Sequence, residues 1–153
     1  MLFPQPQRIH RRLHDPAASK VGFGEHLRDI CADLLEATGA RNVVCLVEAP
    51  PDDLPVETLI TLSLIATEAI TNSVKHAWPG GGPGTVRVAL ERPAPGRVAF
   101  SVSDDGRGVP ADHDPAKSTS LGQRIIRSLV QQLGGELSIT ADRGTTTRVV
   151  FAG

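Results

Sequence analysis

The run Thr67-Glu-Ala-Ile-Thr-Asn-Ser-Val-Lys-His-Ala places Glu68, Asn72, Lys75 and His76 on successive turns of one helical pattern. Glu68 and Asn72 are one turn apart and share a face. Lys75 and His76 add a cation and an imidazole one turn further on. Hard oxygen donors of this kind suit Mg²⁺, which takes one or two protein groups and fills the rest of its shell with phosphates and water. Taken alone, the same pattern also describes a solvated polar helix face. A second candidate is Ser103-Asp-Asp-Gly-Arg-Gly-Val-Pro. There a carboxylate, Asp104, stands at the end of a strand, and Gly106 and Gly108 let the backbone pass close to a ligand. By itself this is also an ordinary Asp-Gly turn. A third is Ser118-Thr-Ser-Leu-Gly-Gln-Arg-Ile-Ile, in which hydroxyl residues and Gly122 open a helix. Free N–H groups at a helix start attract phosphate, and a plain N-cap has the same composition.

The elements that must position these residues can be read from periodicity. Val21–Thr38 repeats apolar residues at helical spacing through Phe23, Leu27, Ile30, Cys31, Leu34 and Leu35, with Gly39 as its stop. Val43–Glu48 is a short β-branched run. Leu54–Trp78 is the longest helical pattern, with Pro55 suited to its first position and Pro79-Gly-Gly-Gly-Pro-Gly ending it. Thr85–Glu91 and Arg97–Ser103 alternate as strands around a turn at Arg92–Gly96. Asp104–Ser120 is polar, with few apolar anchors, and reads as a mobile loop. Leu121–Leu133 is helical, and Glu136–Thr140 and Thr146–Phe151 close the chain as a hairpin around Asp142-Arg-Gly. This order predicts an α+β two-layer sandwich, a mixed and mostly antiparallel sheet with helices on one face. Residues 1–20, polar and basic, read as a tail or as the stub of another element, and residues 21–153 as one domain.

Composition removes several classes of function. A formal charge of −1 gives no field for nucleic acid or membrane partners. At 3% aromatic residues and no Tyr, there is no stacking surface for single strands. No apolar run is long enough for a signal peptide or a bilayer span, so a soluble, cytoplasmic protein is expected. Cys31 and Cys45 lack a CxxC spacing and are expected to be reduced core thiols. His10 and His14 could pair on zinc, but no further ligand accompanies them. Gly80-Gly-Gly-Pro-Gly lacks the Gly-Lys-Ser/Thr end of a P-loop.

The three motifs in this order are far more specific than any one of them. Together the chain resembles the histidine kinase branch of the ATPases that also include gyrase, the large heat-shock chaperone and MutL. Glu68, Asn72, Lys75, His76 and Ala77 resemble the N box of that family. Asp104, Gly106 and Gly108 resemble its first glycine box, Leu121 and Gly122 its second, and Gly144-Thr-Thr-Thr its closing Gly-Thr segment. The absence of a phenylalanine in the short lid, together with the run Lys-His-Ala-Trp-Pro-Gly-Gly, is similar to the group related to the HWE kinases. The resemblance covers about Val21 to Phe151.

The resemblance implies a Bergerat-type ATP-binding fold, with ATP and Mg²⁺ as ligands. It implies that Asp104 accepts from the adenine 6-amino group, that Asn72 holds Mg²⁺, and that Glu68 acts as general base or orients a metal-bound water. Lys75 and His76 would face phosphates or sugar, Leu121 and Gly122 the phosphates, and Thr146 the pocket floor. The implied reaction is transfer of the ATP γ-phosphate to a histidine on a dimerisation domain, with a response regulator downstream. An anti-sigma-type serine kinase and a non-enzymatic relative that docks a response regulator share the fold and stay open as alternatives. Such kinases carry the acceptor in a His-Arg-x-x-Asn setting, and His14 stands where that Asn would follow the His10-Arg11 pair. None of the five histidines fits, so this chain is expected to bind ATP without phosphorylating itself.

If Asp104 reads the base, guanine would set its carbonyl oxygen against the carboxylate. A buried polar group left unpaired costs about 1–3 kcal/mol, so ATP should bind about tenfold or more tightly than GTP. Equal affinities in a competition assay would show that Asp104 does not read the base.

Overall fold

The apolar spacing after residue 21 folds as a helix, α1 (Phe23–Thr38), that ends where Gly39 turns left-handed at φ 72°. The Ala40 N–H returns to the Leu35 carbonyl, so the orphan carbonyls of the last turn are met by the backbone itself. This is a computed structural model, and it describes residues 22–50, 53–107, 121–141 and 143–153. The tail before Val21, with His10 and His14, lies outside the described residues. So do Gly108 and the rest of the loop through Ser120.

After α1 come β1 (Val43–Glu48), α2 (Val56–His76), β2 (Gly84–Ala94), β3 (Arg97–Asp104), α3 (Leu121–Leu133), β4 (Glu136–Thr140) and β5 (Thr145–Ala152). The five strands form one sheet in the order β1-β2-β3-β5-β4. β1 runs parallel to β2, and every other pair is antiparallel. The parallel pair follows from chain path: α2 is the crossover between β1 and β2, which returns the chain to the sheet in the same direction. The observed sandwich is the α+β architecture that the element order predicts.

Helices and sheet share one aliphatic core. Leu27 of α1, Leu62, Ile65 and Ile70 of α2, Val88, Phe100 and Val149 of the sheet and Ile126 of α3 are all buried within it. On β1 the other face is open, with Val44 and Leu46 exposed. A sheet wetted on one face matches the alternation of β2 and β3, whose inward residues Val86, Val88, Val98 and Val102 are buried.

Three local readings are corrected. Pro55 is the N-cap of α2 rather than its first helical residue: its ψ of 150° is extended and its carbonyl receives the Leu59 N–H. The expected five-residue turn Arg92–Gly96 is much tighter, because β2 continues to Ala94 and only Pro95 and Gly96 turn. A register shift between Glu91 and Ala94 absorbs Pro93, which cannot donate to the ladder.

The third correction concerns the cysteines. Cys31 and Cys45 are bonded to one another, not free thiols. Spacing along the chain could not show this. The inner face of α1 packs on β1, which brings the two Cα atoms to 6.4 Å, a separation that a disulfide spans. Closing a loop of this size constrains the unfolded chain by about 3 kcal/mol. Under non-reducing conditions the intact chain should therefore be lighter by two thiol hydrogens, and reduction should lower its unfolding free energy by about 2–3 kcal/mol. An unchanged denaturation midpoint after reduction would contradict that contribution.

Candidate functional site

The middle of α2 is buried on one side and half-open on the other. Leu62, Ile65, Ala66, Ala69 and Ile70 seat the helix in the core. Glu68 and Asn72 are half-buried on the flank that meets α3. Gly122, second residue of α3, stands directly over them. A Cβ there would lie 3.2 Å from Glu68 Oε1, 3.4 Å from Asn72 Oδ1 and 3.5 Å from Asn72 Nδ2. The missing side chain thus lets the opening turn of α3 approach an acid and an amide. Gly122 meets Glu68 and Asn72, which are far from it in sequence, in one place.

One residue beyond Asn72 the helix turns to a second partner. Ser73 Oγ donates to Asp104 Oδ2 at 2.7 Å. The other carboxylate oxygen, Oδ1, accepts the N–H of Gly106 at 3.0 Å and of Thr145 at 3.2 Å. Asp104 closes β3, half-buried, with its backbone in register with Thr145 of β5. Gly144, at φ 117°, lets β5 start against it, since any side chain there would collide with the Asp104 carbonyl.

Gly106 is fixed by the end of α2. A side chain at Gly106 would run into Ala77, and the Arg107 N–H donates to the Ala77 carbonyl at 2.9 Å. Trp78, next in the chain, covers Gly84 and donates its indole N–H to Asp105 Oδ1 at 3.2 Å. The same oxygen takes the Thr85 N–H at 2.9 Å. The loop after β3 is therefore tied at three points to the end of α2 and the start of β2 before it leaves the described residues at Gly108.

Lys75 and His76 are exposed in the last turn of α2, where cations also suit the negative helix end. Leu121 is 72% exposed at the start of α3, beside Gly122. Thr146 is a correction. It pairs with Ser103, while Thr147 pairs with Val102 and Thr145 with Asp104. Directly opposed residues share a face, so Thr147, buried, is on the Asp104 side and Thr146 on the open side of the sheet. Sequence reasoning also passed over Ser73, Asp105 and the Thr145 N–H. Ser73 stood beside Asn72 in the motif, but its partner is 31 residues away and only packing reveals it.

Hard oxygens at Glu68 and Asn72, converging where Gly122 leaves room, fit Mg²⁺. No cluster of three or more His, Cys, Asp or Glu side chains gathers among the described residues. Magnesium held through phosphates needs no such cluster. No helix among the described residues is long and apolar enough to cross a membrane.

Residues 57–152 match the family model described as histidine kinase-, DNA gyrase B-, and HSP90-like ATPase. The chain is 35% identical over 130 residues to blue-light-activated histidine kinase 2 of Erythrobacter litoralis, a match covering 85% of this chain and 37% of that protein. It is 37% identical over 92 residues to the sensor histidine kinase PdtaS of Mycobacterium tuberculosis, covering 59% of this chain and 18% of that one. The chain thus spans well under half the length of these curated relatives. Among solved structures, the blue-light activated histidine kinase of Erythrobacter litoralis superposes with a TM-score of 0.77 at 33% identity, over 85% of this chain and 41% of that one. The catalytic domain of histidine kinase ThkA matches with a TM-score of 0.62 over 82% of this chain and 90% of that one. At 16% identity that match speaks for the fold alone.

Gly122→Ala tests the convergence. The methyl would meet the flexible ends of Glu68 and Asn72 rather than backbone, so the fold should tolerate it, with a stability change within about 1 kcal/mol. Nucleotide affinity should fall at least about tenfold, because both side chains must give way. Calorimetric titration beside a thermal melt separates the two. Undiminished affinity would show that Gly122 does not adjoin the ligand.

Proposed function

The chain belongs to the histidine kinase-, DNA gyrase B- and HSP90-like ATPases, and we propose that it is the ATP-binding catalytic domain of a two-component sensor histidine kinase, passing the ATP γ-phosphate to a histidine on a dimerisation domain. ATP is the ligand of this family's domain. The observation that carries the reading is the behaviour of α2. Within little more than one turn it brings Glu68 and Asn72 to the start of α3 and Ser73 to Asp104. The names of the relatives, all sensor or light-activated histidine kinases, support the histidine branch over a serine kinase.

In this reading Asp104 accepts from the adenine amino group, and Thr147 takes the pocket-floor role first given to Thr146. Asn72 offers its side-chain oxygen to Mg²⁺, with Glu68 beside it. Bound Mg²⁺ would offset charge on the phosphate oxygens. Glu68 would accept a proton or orient water. The first-turn N–H groups of α3, around Leu121 and Gly122, meet the phosphates. Lys75, His76, Gly106 and Gly108 complete the set. Phosphoryl transfer depends mainly on positioning and charge stabilisation, and a helix that carries Asn72 and bonds Asp104 through Ser73 suits that demand. We assign residues 21–153 to this domain and residues 1–20 to a tail or the remnant of a dimerisation hairpin. A cytoplasmic setting, with a response regulator downstream, completes the proposal.

The test supplies a dimerisation hairpin in trans with γ-labelled ATP. Acid-labile, base-stable label should appear on the hairpin, weakly, because the encounter is bimolecular. Asn72→Ala should keep the fold while lowering Mg-ATP affinity at least about tenfold, of the order of one lost charge-assisted contact. ATP binding without any transfer to histidine would overturn the kinase assignment, and absence of ATP binding would leave a non-enzymatic docking module.

A further inference from the structure

We propose that Ser73 is a positioning residue that sets base selectivity: it fills one acceptor position of Asp104 and leaves a single one open for a purine amino group. This rests on the reading of Asp104 as the base contact and narrows it.

The hydroxyl residues of α2 beyond its first turn give the first observation. Thr61, Ser63, Thr67 and Thr71 each donate to the carbonyl one turn earlier in the helix, at 2.6–3.0 Å. This is the ordinary local bond of such a residue inside a helix. Ser73 departs from the pattern. Its hydroxyl leaves the helix and reaches Asp104 Oδ2 at 2.7 Å, a full-strength O–H···O distance, although the residue is only 8% exposed.

Counting acceptor positions gives the second. An ionised carboxylate offers about four, two on each oxygen. Oδ1 is occupied by the Gly106 and Thr145 N–H groups. Both donors are held by the backbone: Thr145 by its register with Asp104, Gly106 by its packing on Ala77. With Ser73 on Oδ2, one position remains, and it belongs to the oxygen that α2 holds in place. A single position suits adenine, whose edge presents one amino group. Guanine presents a ring N–H and an amino group side by side, a pair that a carboxylate receives by committing both oxygens. Oδ1 has no capacity for the second. Ser73 therefore orients the one free position, and the backbone donors exclude the two-donor alternative.

Binding of ATP is compared with that of the triphosphate of unsubstituted purine, which lacks the 6-amino group, in the wild type and in Ser73→Ala. The wild type should prefer ATP. Ser73→Ala should weaken ATP about fivefold to tenfold, the scale of one hydrogen bond to a charged group, and leave the unsubstituted purine within about twofold. A merely structural serine would weaken both nucleotides alike, and that result overturns the proposal, as does unchanged ATP binding. Ser73→Thr and Ser73→Val, matched in shape and differing in the hydroxyl, repeat the comparison independently. Thr should keep the preference and Val lose it, and equal behaviour of the two overturns the proposal. A wild type that binds both nucleotides equally overturns the base-contact reading of Asp104 and the role of Ser73 with it. A wild-type preference that survives undiminished in Ser73→Ala overturns the role of Ser73 alone.

Discussion

The end of β3 and the last turns of α2 meet with almost no side-chain volume between them, and the site is built around that contact. Gly106 lies on Ala77, Gly84 under Trp78, and Gly144 against the Asp104 carbonyl. A methyl at Gly106 or Gly144 would force backbones apart, and one at Gly84 would displace the Trp78 indole. Close approach lets three donors from three segments, Ser73, Gly106 and Thr145, converge on one carboxylate. The loop leaving β3 then departs in a direction set by Trp78 and Thr85 through Asp105.

The energetic roles divide by magnitude. Burying a leucine, isoleucine or phenylalanine side chain stabilises by about 1.5–3 kcal/mol, and the core formed by the three described helices and the sheet holds many such residues. A hydrogen bond contributes about 0.5–1.5 kcal/mol net. The aliphatic core therefore supplies most of the stability, and the bonds at Asp104 contribute mainly direction. A half-buried carboxylate with three fixed donors has few orientations left, and any ligand it received would meet a group already oriented. The same division explains why Glu68 and Asn72 sit beside the buried stripe of α2: the core fixes the helix, and the helix fixes them.

The bridge between Cys31 and Cys45 ties α1 to the edge strand β1, away from the Asp104 contact. It constrains the layer in which α2 is the middle helix, between α1 and α3. Reduced thiols were expected on compartment grounds. Local spacing carries no information about a pairing that arises when a helix face and a strand face pack together.

Much of the site was legible in the residues themselves. Helical period placed Glu68 and Asn72 on one face, strand alternation placed Asp104 at a strand end, and the glycines marked close backbone approach, because these are local properties of a few consecutive residues. The element order likewise carried the sandwich, since short connections leave few ways to stack helices on such strands. Tertiary structure alone decided which groups meet. The Ser73–Asp104 bond spans 31 residues, and the choice of Thr147 over Thr146 depends on the register of β5 against β3. Register shifts by one residue reverse every face, and a run of three threonines gives no pattern from which to read it. The partners of Asp104, the meeting of Gly122 with Asn72 and the cysteine bridge are all contacts between distant segments, and packing of the core determines them.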